Sequence, residues 1–591
     1  MDRSGKAELD ALINGLNGGY IAASGGNDPI RNPDALPTGR NLFGFDTTRL
    51  PSRAVYEAGA KQADELVEDY RRRHGVYPDK LTFTLWGVES YRHEGMIESE
   101  IMRLLGVKPV WDERGMVKGA ERISRRELGR PRVDVVITPS GMYRDQFAPV
   151  MLLLDKAVTE ARLGEEADNP LAANYKKVRA ALIAKGVPEA QANRLAGVRI
   201  FSEPTGTYGT NVNKLVPMSN TWKDEKEIAE VYLNRVGNPY GQGYWGGLDV
   251  SAKDGQPVAG QEIPASLGVD IFKLALTDVK ATIHSRSSNT YAALDNDDFY
   301  DALGGSALAV RAVNGAGAEV IVANLANPKN PHHETLEKFI GTEMRTRYLN
   351  PEWIKSMMKE GYSGARFVGK VTENLWGWQV TTPDAVGDAK WQEMYETYVA
   401  DRNGLDIKQK FRDSKNMLAY QGMVDRMLTA VNKGYWRPDT QTRAALEAAN
   451  REAIAEAGVA CDRDSCSSDE VTKLAEAQDK RTGEAAAKLA APRVGTQATK
   501  ATAVQAAQAK SAAQTQAKSA AKAAASKATK TAQPVSKADV AQGKTQSVDG
   551  YEMQEQKSDL SAQLIASAPS WLGLLFVGIF GAGIFLRKPK R

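Results

Sequence analysis

Three short apolar runs, LTFTLW (81–86), VDVVIT (133–138) and AEVIVANL (318–325), constrain this chain more than any other feature. A strand that is apolar at consecutive positions must be covered on both faces, the situation of a parallel sheet between layers of helices. The neighbouring stretches supply the helices. Apolar residues at helical spacing follow the first run through Leu104 and Leu105, follow the second in FAPVMLLLDKAV (147–158), and precede the third in GGSALAVRAV (304–313). The expected fold class is therefore α/β, with multi-layer parallel-sheet units covered by helices. In such sheets ligands collect beyond the carboxyl ends of the strands.

The chemistry falls at those ends. Directly after LTFTLW come Glu89, Arg92, His93, Glu94, Glu98 and Glu100, within twelve residues. Imidazoles and carboxylates at this density move protons or bind cations. On a helix, 94 and 98 share a face but 98 and 100 do not, so these acids cannot all meet one ligand. VDVVIT is followed by PSGMYRD, which sets Ser140, Gly141, Arg144 and Asp145 at a strand-to-helix junction. A tight turn and an N-cap explain that motif as readily as an anion site does.

Two further segments are rich in polar groups without periodicity. FSEPTGTYGTNVNKLV (201–216) carries Glu203, Tyr208, Asn211 and Lys214, and reads as a loop built for hydrogen bonds. IHSRSSNTYAALDNDDFYDALGG (283–305) gathers His284, Arg286, Asp295, Asp297 and Asp298. No GxxxxGK[ST] and no HExxH is present, and PHHE (331–334) lacks the helical spacing of zinc peptidases, so an ATPase or metalloprotease is unsupported.

Charge divides the chain. Ten Lys and Arg face two acids between Thr482 and Lys544, and the final RKPKR adds four more cations, so a net charge of +4 conceals an acidic body. An acidic body argues against nucleic acid as a partner. The sequence divides into a body (1–481), an Ala/Lys-rich low-complexity spacer (482–563), an uncharged 23-residue segment from Leu564 to Leu586, and a basic tail (587–591). At about 1.5 Å per residue, that segment is long enough for a transmembrane helix across a hydrocarbon core of roughly 30 Å. The positive-inside rule then places the tail in the cytoplasm and favours a periplasmic or other extracytoplasmic body. The start, MDRSGKAELDALINGLNGGY, has no apolar signal core. This leaves two options, a cytoplasmic body or a chain that is the back part of a longer exported protein. Cys461 and Cys466, in CDRDSC, are spaced for a small loop disulfide or are two unpaired thiols.

A run of blocks in one order adds to this reading. RNPDALPTGRNLFGFD (31–46), LTFTLWGVESYRHEG (81–95), LGVKPVWDERGMV (105–117), ELGRPRVDVVITPSGMYRDQF (127–147), FSEPTGTYGTNVN (201–213), LDNDDFYDALGG (294–305), RYLNPEWIKSMMKEGYSGA (347–365) and NKGYW (432–436) resemble the large subunit of class I metal chelatases. That is the family of CobN and the magnesium chelatase H subunit, and the blocks match the later half of its long chains. The resemblance implies a subunit that holds a tetrapyrrole, corrin or porphyrin, while a divalent metal enters, with cobalt, magnesium and iron left open as the metal. Separate AAA+ subunits would hydrolyse the ATP, in keeping with the absent P-loop.

Under that resemblance, His93, Glu94 and Glu89 are the expected catalytic groups. Arg92, Ser140, Arg144, Tyr208, Asn211, His284 and Arg286 are expected at the ring, and His93, Glu94, Asp295 and Asp297 at the metal. One departure stands out. Metal-inserting members carry an acid directly after the glycine corresponding to Gly95, where this chain has Met96. The HSRSSNTY form is similar to the HmuS-like branch, whose membrane-anchored members are associated with haem iron acquisition. Three readings follow: a CobN-like insertase subunit, an HmuS-like haem demetallase, and a non-catalytic tetrapyrrole carrier.

Overall fold

Each of the three apolar runs becomes a strand of one mixed sheet. In the computed structural model, which describes residues 3–25, 35–43, 46–250, 262–288, 291 and 293–458, that sheet contains β1 (Lys80–Leu85), β2 (Asp134–Pro139), β3 (Ile200–Ser202), β4 (Asn238–Gly241), β5 (Tyr244–Trp245), β6 (Leu248–Asp249), β7 (Ala281–Arg286), β8 (Glu319–Asn324) and β9 (His332–Thr335). The order across it is β6-β5-β4-β3-β2-β1-β7-β8-β9. The five strands from β3 to β8 in that order run parallel, whereas both margins are antiparallel. The parallel centre agrees with the sequence expectation. The antiparallel margins were not legible, because β4 to β6 are two to four residues long and carry too few positions to show a period.

Alternation sorts the side chains into two cores. On one face Leu81, Phe83, Leu85, Val135, Ile137 and Ile283 pack with the helices α1 (Arg53–His74), α3 (Met96–Leu105) and α5 (Ala148–Arg162); the short helices α2 (Gly87–His93) and α4 (Gly141–Gln146) lead into α3 and α5. Burying Phe83 completely is worth about 2 kcal/mol. Helix α1 starts where the Ser52 hydroxyl accepts from Val55 N–H and stops at Gly75, which is left-handed. On the other face Val136 and Val322 pack with α6 (Glu225–Val236), α7 (Gly305–Asn314) and α8 (Tyr362–Thr381). At the carboxyl ends this second face turns polar. Thr138, Thr84 and His284 occupy one rung across three strands.

From residue 336 onward the described chain is helical, an arrangement the sequence reading did not resolve. Helix α8 is buried along most of its length, and its polar tips hold loops that carry acids. Trp376 Nε1 donates to Val216 O at 3.0 Å, Trp378 Nε1 to Ala293 O at 2.9 Å, and Asn374 Nδ2 to Leu294 O at 2.8 Å. The start of the segment that carries Asp295 is thereby fixed against α8.

All described residues fall in one compact unit. Among them, no helix is long and apolar enough to cross a membrane. Cys461, Cys466, the spacer from 482, the Leu564–Leu586 segment and the basic tail lie outside the described residues.

Candidate functional site

Strand β1 is the switch point of the sheet. The chain lays β2 and β3 on one side of it and returns later to lay β7 and β8 on the other. The crevice outside such a point is where the ends of neighbouring strands diverge and a ligand can enter. A cleft of about 300 Å³ opens there, lined by Thr84, Trp86, Ser140, Glu203, Tyr208 and Asp301 among others. That volume is at the lower end for small-molecule sites.

The cleft walls are held by a hydrogen-bonded loop. Asp301 accepts from Thr210 N at 2.9 Å, Thr210 Oγ1 at 2.7 Å and Asn213 N at 2.9 Å, which latches residues 210–213 to the helix bearing Asp301. Arg144 is fully buried and clamps the same loop, donating to the carbonyls of Glu203, Pro204 and Thr207 at 3.0, 2.9 and 3.3 Å. Gly141 is required by this approach, since a Cβ there would lie 2.6 Å from Thr207 O. Tyr208 is exposed, and its hydroxyl donates to Asp145 Oδ2 at 2.8 Å. Ser140 caps α4 by accepting from Tyr143 N–H. Asn211 takes a left-handed conformation at the start of a single helical turn. Burial pushes the carboxyls of Glu203 and Asp301 above their ordinary range, so both hold protons more tightly than exposed acids do. Asp301 was missed in the sequence because its role depends on a loop some ninety residues away.

The dense polar stretch after β1 is divided among three destinations. Glu89 reaches across to the end of β7. Its Oε2 accepts from Ser287 N at 2.7 Å, and its Oε1 lies 3.4 Å from Arg92 and 3.5 Å from Arg286. His93 is buried, with Nδ1 accepting from Met96 N–H at 3.1 Å and lying 3.9 Å from Glu98 Oε2. Glu98 in turn accepts from Ser90 Oγ at 2.6 Å and Tyr143 OH at 2.9 Å, and burial raises its carboxyl's pKa. Glu100, on the opposite side of α3, meets His333 of β9 at 3.0 Å. Glu94 and Gly95 are both left-handed and turn the chain between α2 and α3. Met96 packs against the apolar core below.

His284 differs from every other imidazole described. It is fully buried, its Nδ1 donates to Thr84 O at 2.8 Å, and its Nε2 has no partner among the described residues. Burial, assisted by Arg286, pushes it down to about 4, so it is neutral at pH 7. A ring nitrogen oriented by a carbonyl on its far side, with the other lone pair unused, is the arrangement of a metal-ligating histidine. Trp86 lies 4.5 Å away, ring to ring, and also lines the cleft.

The four residues expected at the metal do not converge. Asp295 is held by Arg347 at 2.8 Å and Tyr348 OH at 2.8 Å, while Asp297 meets Asn213 Nδ2 at 3.1 Å and Lys370 at 3.5 Å. Among the described residues no three His, Cys, Asp or Glu gather to hold an ion.

Fold and cleft together define an α/β protein with a candidate ligand site at a sheet switch point, walled in part by acids, with one neutral histidine behind Trp86. The CobN/Magnesium Chelatase family model matches residues 1–443, and the chain belongs to that family. It is 32% identical over 441 residues to the aerobic cobaltochelatase CobN protein of Sinorhizobium sp, covering 74% of this chain and 33% of that protein. It is also 32% identical over 443 residues to the magnesium-chelatase H subunit of Rhodobacter capsulatus, covering 75% and 34%. Among solved structures, the catalytic subunit of cobaltochelatase from Mycobacterium tuberculosis superposes with a TM-score of 0.66 at 29% identity, covering 76% of this chain and 36% of that one. The chain thus spans about a third of the length of the curated relatives it matches.

Proposed function

We propose that this chain binds a tetrapyrrole in the switch-point cleft and takes part in exchanging the divalent metal at the centre of the ring. The observation that carries this reading is the presence of buried carboxyls whose pKa burial raises (Glu203 and Asp301) in a cleft backed by a neutral imidazole behind Trp86. Metal entry expels two pyrrolic protons and metal removal takes up two, so either direction needs groups that accept and donate protons. Family membership supports a tetrapyrrole and a divalent metal as the substrate classes. In the CobN-like form of the reading, ATP acts through separate AAA+ subunits.

Removal of iron from haem is the second form, and Met96 favours it. The side chain that follows Gly95 is an apolar one packed on a core, where the resemblance to metal-inserting members implies an acid. A non-catalytic tetrapyrrole carrier is the remaining form. Anchoring by Leu564–Leu586, with an extracytoplasmic body, belongs to the same proposal and rests on the sequence alone.

The test is anaerobic titration of the full chain with haem and, separately, with a free-base porphyrin and a divalent metal, followed by absorption over time. Free-base bands appearing from haem support removal, and metalloporphyrin bands appearing only with AAA+ subunits and ATP support insertion. Binding without either change identifies a carrier, and no spectral change with any ring refutes the proposal.

A further inference from the structure

Three buried polar atoms at the carboxyl end of β7 have no partner among the described residues. Arg286 is 3% exposed, and its Nε and Nη2 make no hydrogen bond there; Ser287, also 3% exposed, has an unpartnered hydroxyl. The ion pair of Arg286 is a long one, from Nη1 to Glu89 Oε1 at 3.5 Å. That oxygen also faces Arg92 at 3.4 Å, so one carboxylate opposes two guanidinium groups while its second oxygen is taken by Ser287 N–H. Asp295 is committed to Arg347 and Tyr348. Glu343 lies in the same field, but burial raises it to about 7. Buried guanidinium N–H groups are costly to leave unmade, and native structures pair nearly all of them. Two unpartnered N–H groups on one buried guanidinium remain able to donate to an anion.

The surroundings identify which anion. The guanidinium carbon lies 4.7 Å from the centre of the Phe299 ring, Phe299 meets Trp86 at 4.8 Å, and Trp86 lines the cleft. A planar fork stacked on an aromatic ring, with adjacent unused N–H groups, matches the two oxygens of a carboxylate. We propose that Arg286, with Ser287 beside it, binds a carboxylate borne on the edge of the ring that occupies the cleft. This inference rests on the ring-binding reading above, and it assigns the residues that hold a carboxylate of such a ring, so that a ring with free carboxylates binds in preference to one whose side chains are esterified or alkyl.

Two measurements on the full chain separate the inference from the reading beneath it. The first needs no ring: thermal unfolding in succinate against sodium chloride at matched ionic strength. Succinate should raise the midpoint of the natural protein by about 2 °C, and should not raise that of Arg286→Met. The second compares protoporphyrin IX with its dimethyl ester by fluorescence titration. The diacid should bind the natural protein about 10- to 100-fold more tightly than the diester, the two should bind Arg286→Met alike, and Arg286→Lys, which keeps charge without the fork, should fall between. Equal binding of diacid and diester by the natural protein overturns the inference, as does a succinate effect that survives in Arg286→Met. If no porphyrin binds while the succinate effect depends on Arg286, the carboxylate site stands and the ring-binding reading falls.

Discussion

Replacing Glu343 with Gln gives a pH signature that its surroundings dictate. Glu343 accepts from Ala293 N at 2.7 Å, an interaction that Gln preserves through its own side-chain oxygen. Burial, opposed by that hydrogen bond and by Arg286 and Arg347, raises the carboxyl from 4.5 to about 7. The folded state therefore holds the proton more tightly than the unfolded chain does. Between pH 4.5 and about 7 it binds more protons, and its stability declines as the pH rises through that window. At about 1.4 kcal/mol per tenfold change in acidity, the full decline attributable to this group is about 3 kcal/mol. Urea denaturation followed by tryptophan fluorescence at pH 4.5 and pH 8 measures it. Glu343→Gln should lie within about 1 kcal/mol of the natural protein at the lower pH and gain on it by about 3 kcal/mol at the higher. Other titrating groups are common to both proteins and cancel in the difference. A gap between the two that does not change with pH would refute the buried-carboxyl argument.

The neutral histidine gives the opposite slope: its pKa is depressed from 6.5 to about 4, so its stabilisation is lost as the pH falls through that range, and His284→Leu should be less acid-sensitive than the natural protein in the same assay. Glu89→Ala should lower stability by about 3–5 kcal/mol by leaving Arg286 and Arg92 without their shared anion; a loss under about 1 kcal/mol would show that the cluster is solvated. Met96→Glu supplies the acid that the resemblance to metal-inserting members implies at this position. Metal insertion into a free-base porphyrin, read by absorption, should appear in that variant and not in the natural protein, whereas insertion by the natural protein would remove the argument drawn from Met96.

Much of this protein was legible before its structure. Consecutive apolar residues can be buried only between two layers, so LTFTLW, VDVVIT and AEVIVANL predicted the parallel centre, and β1, β2 and β8 fall on them. Helical geometry likewise forbade Glu98 and Glu100 from sharing a target, and they face Tyr143 and His333 respectively. The ordered blocks from 31 to 436 carried the family, because many short matches in one order are improbable without common descent.

Which polar groups meet was decided only by tertiary structure. Ser287 lies 198 residues beyond Glu89, and Thr84 lies 200 residues before His284, yet each pair shares a hydrogen bond because β1 and β7 are neighbours in the sheet. Strand order is set by how the two helical layers pack, which no local pattern encodes. For the same reason His93, prominent in sequence, has its Nδ1 engaged by Met96 N–H, while His284, inconspicuous between isoleucine and serine, keeps a nitrogen unpartnered among the described residues. Sequence determines which proton-carrying and ligating groups the chain possesses. The fold decides which are left unsatisfied, since a buried polar atom has only the partners that packing brings within reach.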